Sequence, residues 1–423
     1  MEEPCDRTVH TSAHCLDFLS QEHEYLAPAA QPSTTVTPMD FHIFWRGPFT
    51  DKLSLSAHSF VFTQPLARAR LHLWIDSADL PGGRPEDYAL NKFSAPLVKA
   101  PLNKFITIHA WNQAAELELA YGDENEVDQK IRELERQLEP TSKPVKSVAL
   151  SDEARFLILN RHGGVYLDAD VMLLKDMSPF FDAGIEFAYE WSRTRLYNTA
   201  ILRLFRESTV ARRILDGAKA RQLEILEKKL KEHLERQQRQ RDPVEEGNSN
   251  DYESDETTAT SAAISSDKRI RTERTRLSKR AEMRPEEIYH PARLRDYLRP
   301  DGRLEGNGLI MMPPTYFDPL WLRIDGAEAK GSKDTERMVE DLRSFPEAFT
   351  EVEAVCPAQQ YSGIDFTAGP EVFLTGAYAY HWHNSWSTPI EPKSWMGLMR
   401  QAYDDFVEGR RPNLYGEWFQ ENL

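Results

Sequence analysis

Cysteine is scarce in this chain, with three among 423 residues. Cys5 and Cys15 fall in a polar N-terminal stretch and Cys356 stands alone. That excludes a disulfide framework and a paired-thiol metal motif, and it leaves the redox compartment open. No run of about 18 apolar residues occurs, so no transmembrane helix is encoded. The start, MEEPCDRTVH, is acidic and polar and lacks a basic segment followed by an apolar one. The expectation is a soluble protein or a chain that begins downstream of an anchor. Basic charge is short as well: 52 Lys+Arg stand against 68 Asp+Glu, a net charge of −16. So acidic a surface argues against broad nucleic-acid or anionic-membrane binding. It still permits a local site of opposite sign for an anionic small ligand. Neither Gly-x-x-x-x-Gly-Lys nor Gly-x-Gly-x-x-Gly is present, which removes the classical nucleotide loops.

What is there is globular. Apolar residues make up 40% and charged residues 28%, ordinary values for a packed chain. The length allows two or three domain equivalents, or one large domain with insertions. Residues 1–39 are rich in Pro, Ser, Thr and Ala and read as a disordered leader. FHIFWRGPF (41–49), ARLHLWID (69–76) and KFITIHAW (104–111) read as buried strands. Residues 123–139 space Val127, Ile131, Leu134 and Leu138 as one face of an amphipathic helix. SDEARFLILNRHGG (151–164) reads as a helix with Ser151 as N-cap and Gly163 just past its end. It runs straight into a strand at Val165–Leu167. Alternating strands and helices imply an α/β sheet, mainly parallel. Residues 209–241 read as a long charged helix, followed to about 286 by an acidic and then a basic block that reads as a disordered insertion. The expected layout is 40–208, an insertion over 209–286, a second half at 287–390, and a closing helix and tail at 391–423.

The chemistry concentrates in His162-Gly163-Gly164-Val165-Tyr166-Leu167-Asp168-Ala169-Asp170. In an extended chain residues i and i+2 point the same way, so Asp168 and Asp170 should project together at the carboxyl end of a strand. That is where α/β sheets bind ligands. Two hard oxygen donors there suit Mg²⁺ or Mn²⁺, and such an ion suits a diphosphate. Gly-Gly-x-Tyr-x-Asp-x-Asp arises by chance in on the order of one chain in a thousand of this length. A second cluster, Tyr380-His381-Trp382-His383-Asn384-Ser385-Trp386, alternates two histidines on one side of an extended segment. Its plain alternative is a pair of packed histidines with no ligand.

With Asp152 and Arg155 upstream, the pattern Asp-x-x-Arg, then Gly-Gly-x-Tyr-x-Asp-x-Asp, resembles the DXD-motif glycosyltransferases of family 32. That family includes fungal outer-chain α-1,6-mannosyltransferases, and the glucosylating clostridial toxins look like more distant relatives. The resemblance spans roughly residues 40–390 and implies a GT-A fold, a nucleotide-sugar donor, a divalent metal and retention of anomeric configuration. It implies that Asp168 contacts ribose or sugar hydroxyls and that Asp170 holds the metal on the diphosphate. Asp152 and Arg155 would hold the transferred sugar. Trp45 would stack on the donor base, and Asp76 would lie near the nucleotide, with turn capping as its alternative. Tyr166 belongs to the same motif on the donor side. Asn198, in LYNTAIL, resembles an asparagine near the acceptor face of the sugar, with a helix start as its alternative. His381 and Asn384 would complete the metal shell, with His383 beside them, and Trp386 would cover the leaving group.

The expectation is therefore a hexosyltransferase using a UDP- or GDP-sugar and a glycan, lipid or protein acceptor, with Mn²⁺ or Mg²⁺. Relatives of this kind are often Golgi type II membrane proteins, whereas this sequence shows no anchor. Two other readings compete. A haloacid-dehalogenase-like phosphohydrolase also has a strand followed by Asp-x-Asp, but Met172 stands where it needs Thr or Val, and no Gly-Asp follows Asp170. An inactive scaffold with this fold would use the charged insertion to hold a partner.

Overall fold

The computed structural model describes residues 38–80, 82–85, 91–121, 126–138, 147–191, 196–241, 288–298, 308–319, 349, 374, 376–383 and 386–422. The expected leader up to residue 37, the insertion over 242–287 and Asn384 lie outside the described residues.

The strands are β1 (Met39–Trp45), β2 (Ala69–Asp76), β3 (Ile106–Trp111), β4 (Gly164–Leu167), β5 (Val171–Leu173), β6 (Phe187–Glu190), β7 (Tyr197–Leu204), β8 (Ile310–Met312) and β9 (Ala379–His381). Seven form one sheet in the order β3-β2-β1-β4-β7-β6-β8, while β5 and β9 pair as a separate ribbon. The half from β3 to β4 is parallel; β7 runs antiparallel to both β4 and β6, and β8 is parallel to β6. Parallel strands need both faces covered, and the sequence supplies the cover. The helices are α1 (Asp51–Thr63), α2 (Gln113–Tyr121), α3 (Glu126–Gln137), α4 (Ser147–His162), α5 (Ser178–Asp182), α6 (Thr209–Arg241), α7 (Leu294–Leu298) and α8 (Trp395–Val407). Phe41 and Ile43 of β1 face one core with α1, α8 and the β5–β9 ribbon. Phe44 and Trp74 face another core, with α4 and the first turns of α6. The expected mainly parallel α/β layout is what the chain forms.

One helix is new and two readings change. After the short Gly-Pro loop that follows β1 comes α1, which the sequence pattern does not announce; it is capped by Thr50, whose hydroxyl accepts from the Leu53 N–H. Nearly all of α1 is buried, its serines included, so no polar face marks it as a helix. Ser151 is not an N-cap, because α4 begins at Ser147 and Leu150 already packs in the core. Asp152 consequently lies beyond the first turn, where the helix dipole no longer accounts for it. Asn198 is the second residue of β7, which removes its alternative as a helix start.

Gly163 and Gly164 carry the turn from α4 into β4. Gly163 adopts φ 70° and its N–H caps the helix on the Leu159 carbonyl at 2.8 Å. Gly164 adopts φ 97°, and a Cβ there would stand 2.3 Å from the Asp40 carbonyl oxygen. Both the backbone angle and the close approach demand glycine. Gly164→Ala should lower stability by about 2–4 kcal/mol, read as a lower urea midpoint at unchanged slope.

Beneath the amino-terminal part of the sheet lies a histidine cluster. His42 and His72 sit opposite each other on β1 and β2, with their rings 5.1 Å apart. His72 Nδ1 lies 2.9 Å from His109 Nε2, and the His162 ring is 5.9 Å from that of His42. Burial, with repulsion from neighbouring charges, pushes His42 down to about 3 and His109 and His162 to about 4. The unfolded chain thus binds more protons than the folded one between those values and about 6.5, and stability falls as pH drops through that window. Melting temperature should decrease from pH 7 to pH 5, and less steeply in His109→Gln.

Candidate active site

The Asp168–Asp170 segment is a tight turn, not an extended strand. β4 stops at Leu167, and the turn is closed by the Val171 N–H on the Asp168 carbonyl at 3.1 Å. The Asp168 N–H donates to the Ala200 carbonyl at 2.7 Å, and the Ser56 hydroxyl of α1 donates to the Ala169 carbonyl at 3.1 Å. Both carboxylates still reach the carboxyl edge of β4, but through a turn pinned from two sides.

Arg155 organises that edge from α4. Its guanidinium lies 2.9 Å from Asp152 and 3.0 Å from Asp168, and it donates to the Thr199 hydroxyl at 2.5 Å. It also lies over the Tyr166 ring, 5.1 Å from the centroid. Burial alone would discharge this group, yet Asp168 and Asp152 more than reverse the effect, so its pKa is raised. The Asp168 carboxyl is raised by burial, with Arg155 pulling it back and Asp170 pushing it further up. The expected pairing of Asp152 with Arg155 on one helix face is present, and Arg155 extends it to Asp168.

His381 arrives from the far end of the chain. β9 pairs antiparallel with β5, with His381 opposite Val171, and the Trp382 N–H donates to the Asp170 carbonyl at 3.1 Å. His381 Nε2 lies 3.4 Å from Asp170, and its Nδ1 lies 3.2 Å from Asp318. Burial lowers its basicity, but Asp170 and Asp318 outweigh burial and raise it well above the ordinary histidine value. A cation held on Nε2 would take the place of a proton there. Asp168, Asp170 and His381 each offer a ligand atom, all within 4.8 Å of one another. Two carboxylates and an imidazole form a donor set that fits Mn²⁺ well and Mg²⁺ less closely.

The cleft around these groups encloses about 480 Å³, within the range of small-molecule sites. Trp45 lines it at the end of β1, with its ring 5.0 Å from that of Trp386 and inclined at 55°. The Trp45 indole N–H donates to the Gly47 and Pro48 carbonyls at 3.0 and 3.1 Å. Asn198 and His383 also line the cleft. Asp76 does not: it caps the turn at Ala78 and pairs at 3.4 Å with Arg46, which does line it. Tyr166 is fully buried, and its hydroxyl is 3.1 Å from the Ser151 hydroxyl. It thus supports Arg155 from below and lies behind the cleft wall.

Sequence reasoning missed Asp318, Thr199 and, among the cleft-lining residues, Trp191 and His290. Thr199 adjoins a residue already singled out. Asp318 lies in TYFDPL, which reads only as a turn, and no spacing ties it to His381.

Residues 102–186 match the model of the family described as "Glycosyltransferase sugar-binding region containing DXD motif". That segment contains Asp152, Arg155, Asp168 and Asp170. No curated protein matches the sequence. Among solved structures, the ligand-free glycosyltransferase domain from the YGT toxin is similar at TM-score 0.36 and 10% identity, over 75% of this chain and 92% of that one. The UDP-bound form of that domain gives 0.34 at 10% identity, over 72% and 89%. The PaToxG glycosyltransferase gives 0.29 at 16%, over 50% and 69%. The matched segment carries the DXD turn at the carboxyl edge of β4 in a mostly parallel α/β sheet.

Arg155→Gln should cost about 3–5 kcal/mol, because Asp152 is left buried without its counter-charge. Asp152→Asn in the same background should recover part of that loss. Chemical denaturation of the two single variants and the double variant measures the coupling, and strict additivity would contradict a shared network.

Proposed function

We propose that this protein is a metal-dependent, retaining DXD-motif hexosyltransferase that uses a UDP- or GDP-linked hexose and passes the sugar to a glycan, lipid or protein acceptor. The observation that supports it is the convergence of Asp168, Asp170 and His381 beside Arg155 and the Trp45–Trp386 pair in one cleft.

Each group then has a task. Asp170 and His381 would hold the ion, with Asn384 and His383 as expected partners; when bound, it supplies Lewis-acid neutralisation of the leaving diphosphate. Asp168 takes ribose or sugar hydroxyls as hydrogen-bond acceptor. Its orientation is preset by Arg155, so little ordering remains on binding. Asp152 and Arg155 orient the transferred hexose. Trp45 offers a flat apolar face to the base, and Trp386, already in contact with it, closes over the leaving group. Asn198, two strands from Trp45 in the sheet, would face the sugar near the acceptor. No side-chain base is assigned. In front-face retention the departing phosphate oxygen can take the acceptor proton, and a trapped glycosyl-enzyme would contradict this. The halves expected at 40–208 and 287–390 act as one catalytic unit, since the first supplies the DXD turn and the second supplies His381.

A donor screen tests the proposal. Purified protein is incubated with Mn²⁺ and each common UDP- or GDP-sugar, with and without EDTA, and released nucleoside diphosphate is measured. Release from one donor is expected, abolished by EDTA and lowered at least about 100-fold in Asp170→Ala. No release, together with no metal-dependent UDP or GDP binding by calorimetry, would instead leave the scaffold reading standing.

A further inference from the structure

The cleft reading leaves one buried carboxylate without a task. Asp318 is fully enclosed, with 0% of its side chain exposed, and it does not line the cleft. Its Oδ1 lies 3.0 Å from His383 Nε2. Its Oδ2 lies 3.2 Å from His381 Nδ1 and accepts the Tyr189 hydroxyl at 3.1 Å. Tyr189 in turn stands 3.1 Å from the same Nδ1. Because Asp318 can only accept when ionised, both imidazoles must donate to it.

We propose that Asp318 is the positioning residue of the metal centre: it anchors the two histidines of HWHNSW through its separate oxygens and so turns His381 Nε2 toward Asp170. This rests on the function proposed above. Three observations carry it. The carboxylate fixes which ring nitrogen of His381 carries the hydrogen, and the other faces Asp170 at 3.4 Å. Carboxylates that orient metal-ligating imidazoles in this way also raise their basicity as ligands. His383 adopts φ 50°, a left-handed conformation that a non-glycine residue keeps only when its surroundings fix it. The bond to Asp318 does so, and it brings the two rings to 4.0 Å. Asp318, His381 and His383 could themselves surround an ion, since their ligand atoms also lie within 4.8 Å. Asp318, however, is spent on three donors and closed to the cleft, which makes it a support and not a ligand.

The experiment titrates Mn²⁺ into the full chain and reads free Mn²⁺ by electron paramagnetic resonance, with pulsed spectra reporting ¹⁴N coupling from a coordinated imidazole. Wild type, Asp170→Ala and Asp318→Asn are compared, each checked for folding by circular dichroism. Asp318→Asn should weaken Mn²⁺ binding about 10–100-fold and diminish the ¹⁴N coupling, and Asp170→Ala should remove binding. Weak binding in Asp170→Ala with unchanged affinity and coupling in Asp318→Asn would overturn the positioning role and leave the proposed function intact. Undiminished binding in Asp170→Ala would instead sink the metal centre itself. If Asp318→Asn fails to fold, Tyr189→Phe carries the test. It removes the hydroxyl that bridges Asp318 and His381 while keeping the ring, and several-fold weaker Mn²⁺ binding is expected; unchanged affinity would count against the proposal.

Discussion

The three-residue ladder between β5 and β9 is the constraint on which the rest of the cleft depends. It is short, pairing Val171 through Leu173 with His381 through Ala379. It nevertheless delivers the imidazole to Asp170, positions Trp386 against Trp45, and seats Asp318 behind both histidines. Neither partner segment could hold its place alone, because isolated two-stranded ribbons are marginal in water. α1 supplies the backing: the Ser59 hydroxyl accepts from the Leu173 N–H at 3.0 Å, and the Ser56 hydroxyl donates to the DXD turn. The serines that hide α1 from a reading of its pattern are thus the groups that fix the ribbon.

Electrostatics inside the cleft runs against the sign of the whole chain. The sequence carries excess acid, but the buried site sets Asp152, Asp168 and Asp170 against Arg155 and against His381, whose basicity Asp170 and Asp318 raise. Each buried charge has a counter-charge within about one hydrogen bond, the condition under which charges persist away from water. In the proposed reaction a divalent ion with a diphosphate would enter as a nearly neutral pair, so the charge pattern of Arg155 and its carboxylates would not need to change.

Much of this was legible in the amino acids. The apolar runs of β1, β2 and β3, the glycines before β4, and the face shared by Asp152 and Arg155 are all local, and local patterns survive in sequence. Other features are not local. α1 has no polar stripe because it is enclosed on all sides. The start of α4 is set by what Leu150 packs against, not by a cap at Ser151. The DXD segment turns where alternation implies extension, because the Ala200 carbonyl and Ser56 capture it. Asp318 acquires its meaning only from residues that fold onto it. Tyr166 and Asp76 have the right chemistry on strands next to the site, but their side chains serve the groups that line the cleft.

The ribbon has a further consequence in time. Tyr189 and His381, which meet over Asp318, are 192 positions apart. At ribosomal rates of 5–20 residues per second, on the order of 10–40 s separates their emergence. During that interval a nascent chain has the DXD turn but neither His381 nor Trp386 to set beside it. A product that terminates before residue 381 therefore keeps the DXD turn but lacks the imidazole that meets Asp170.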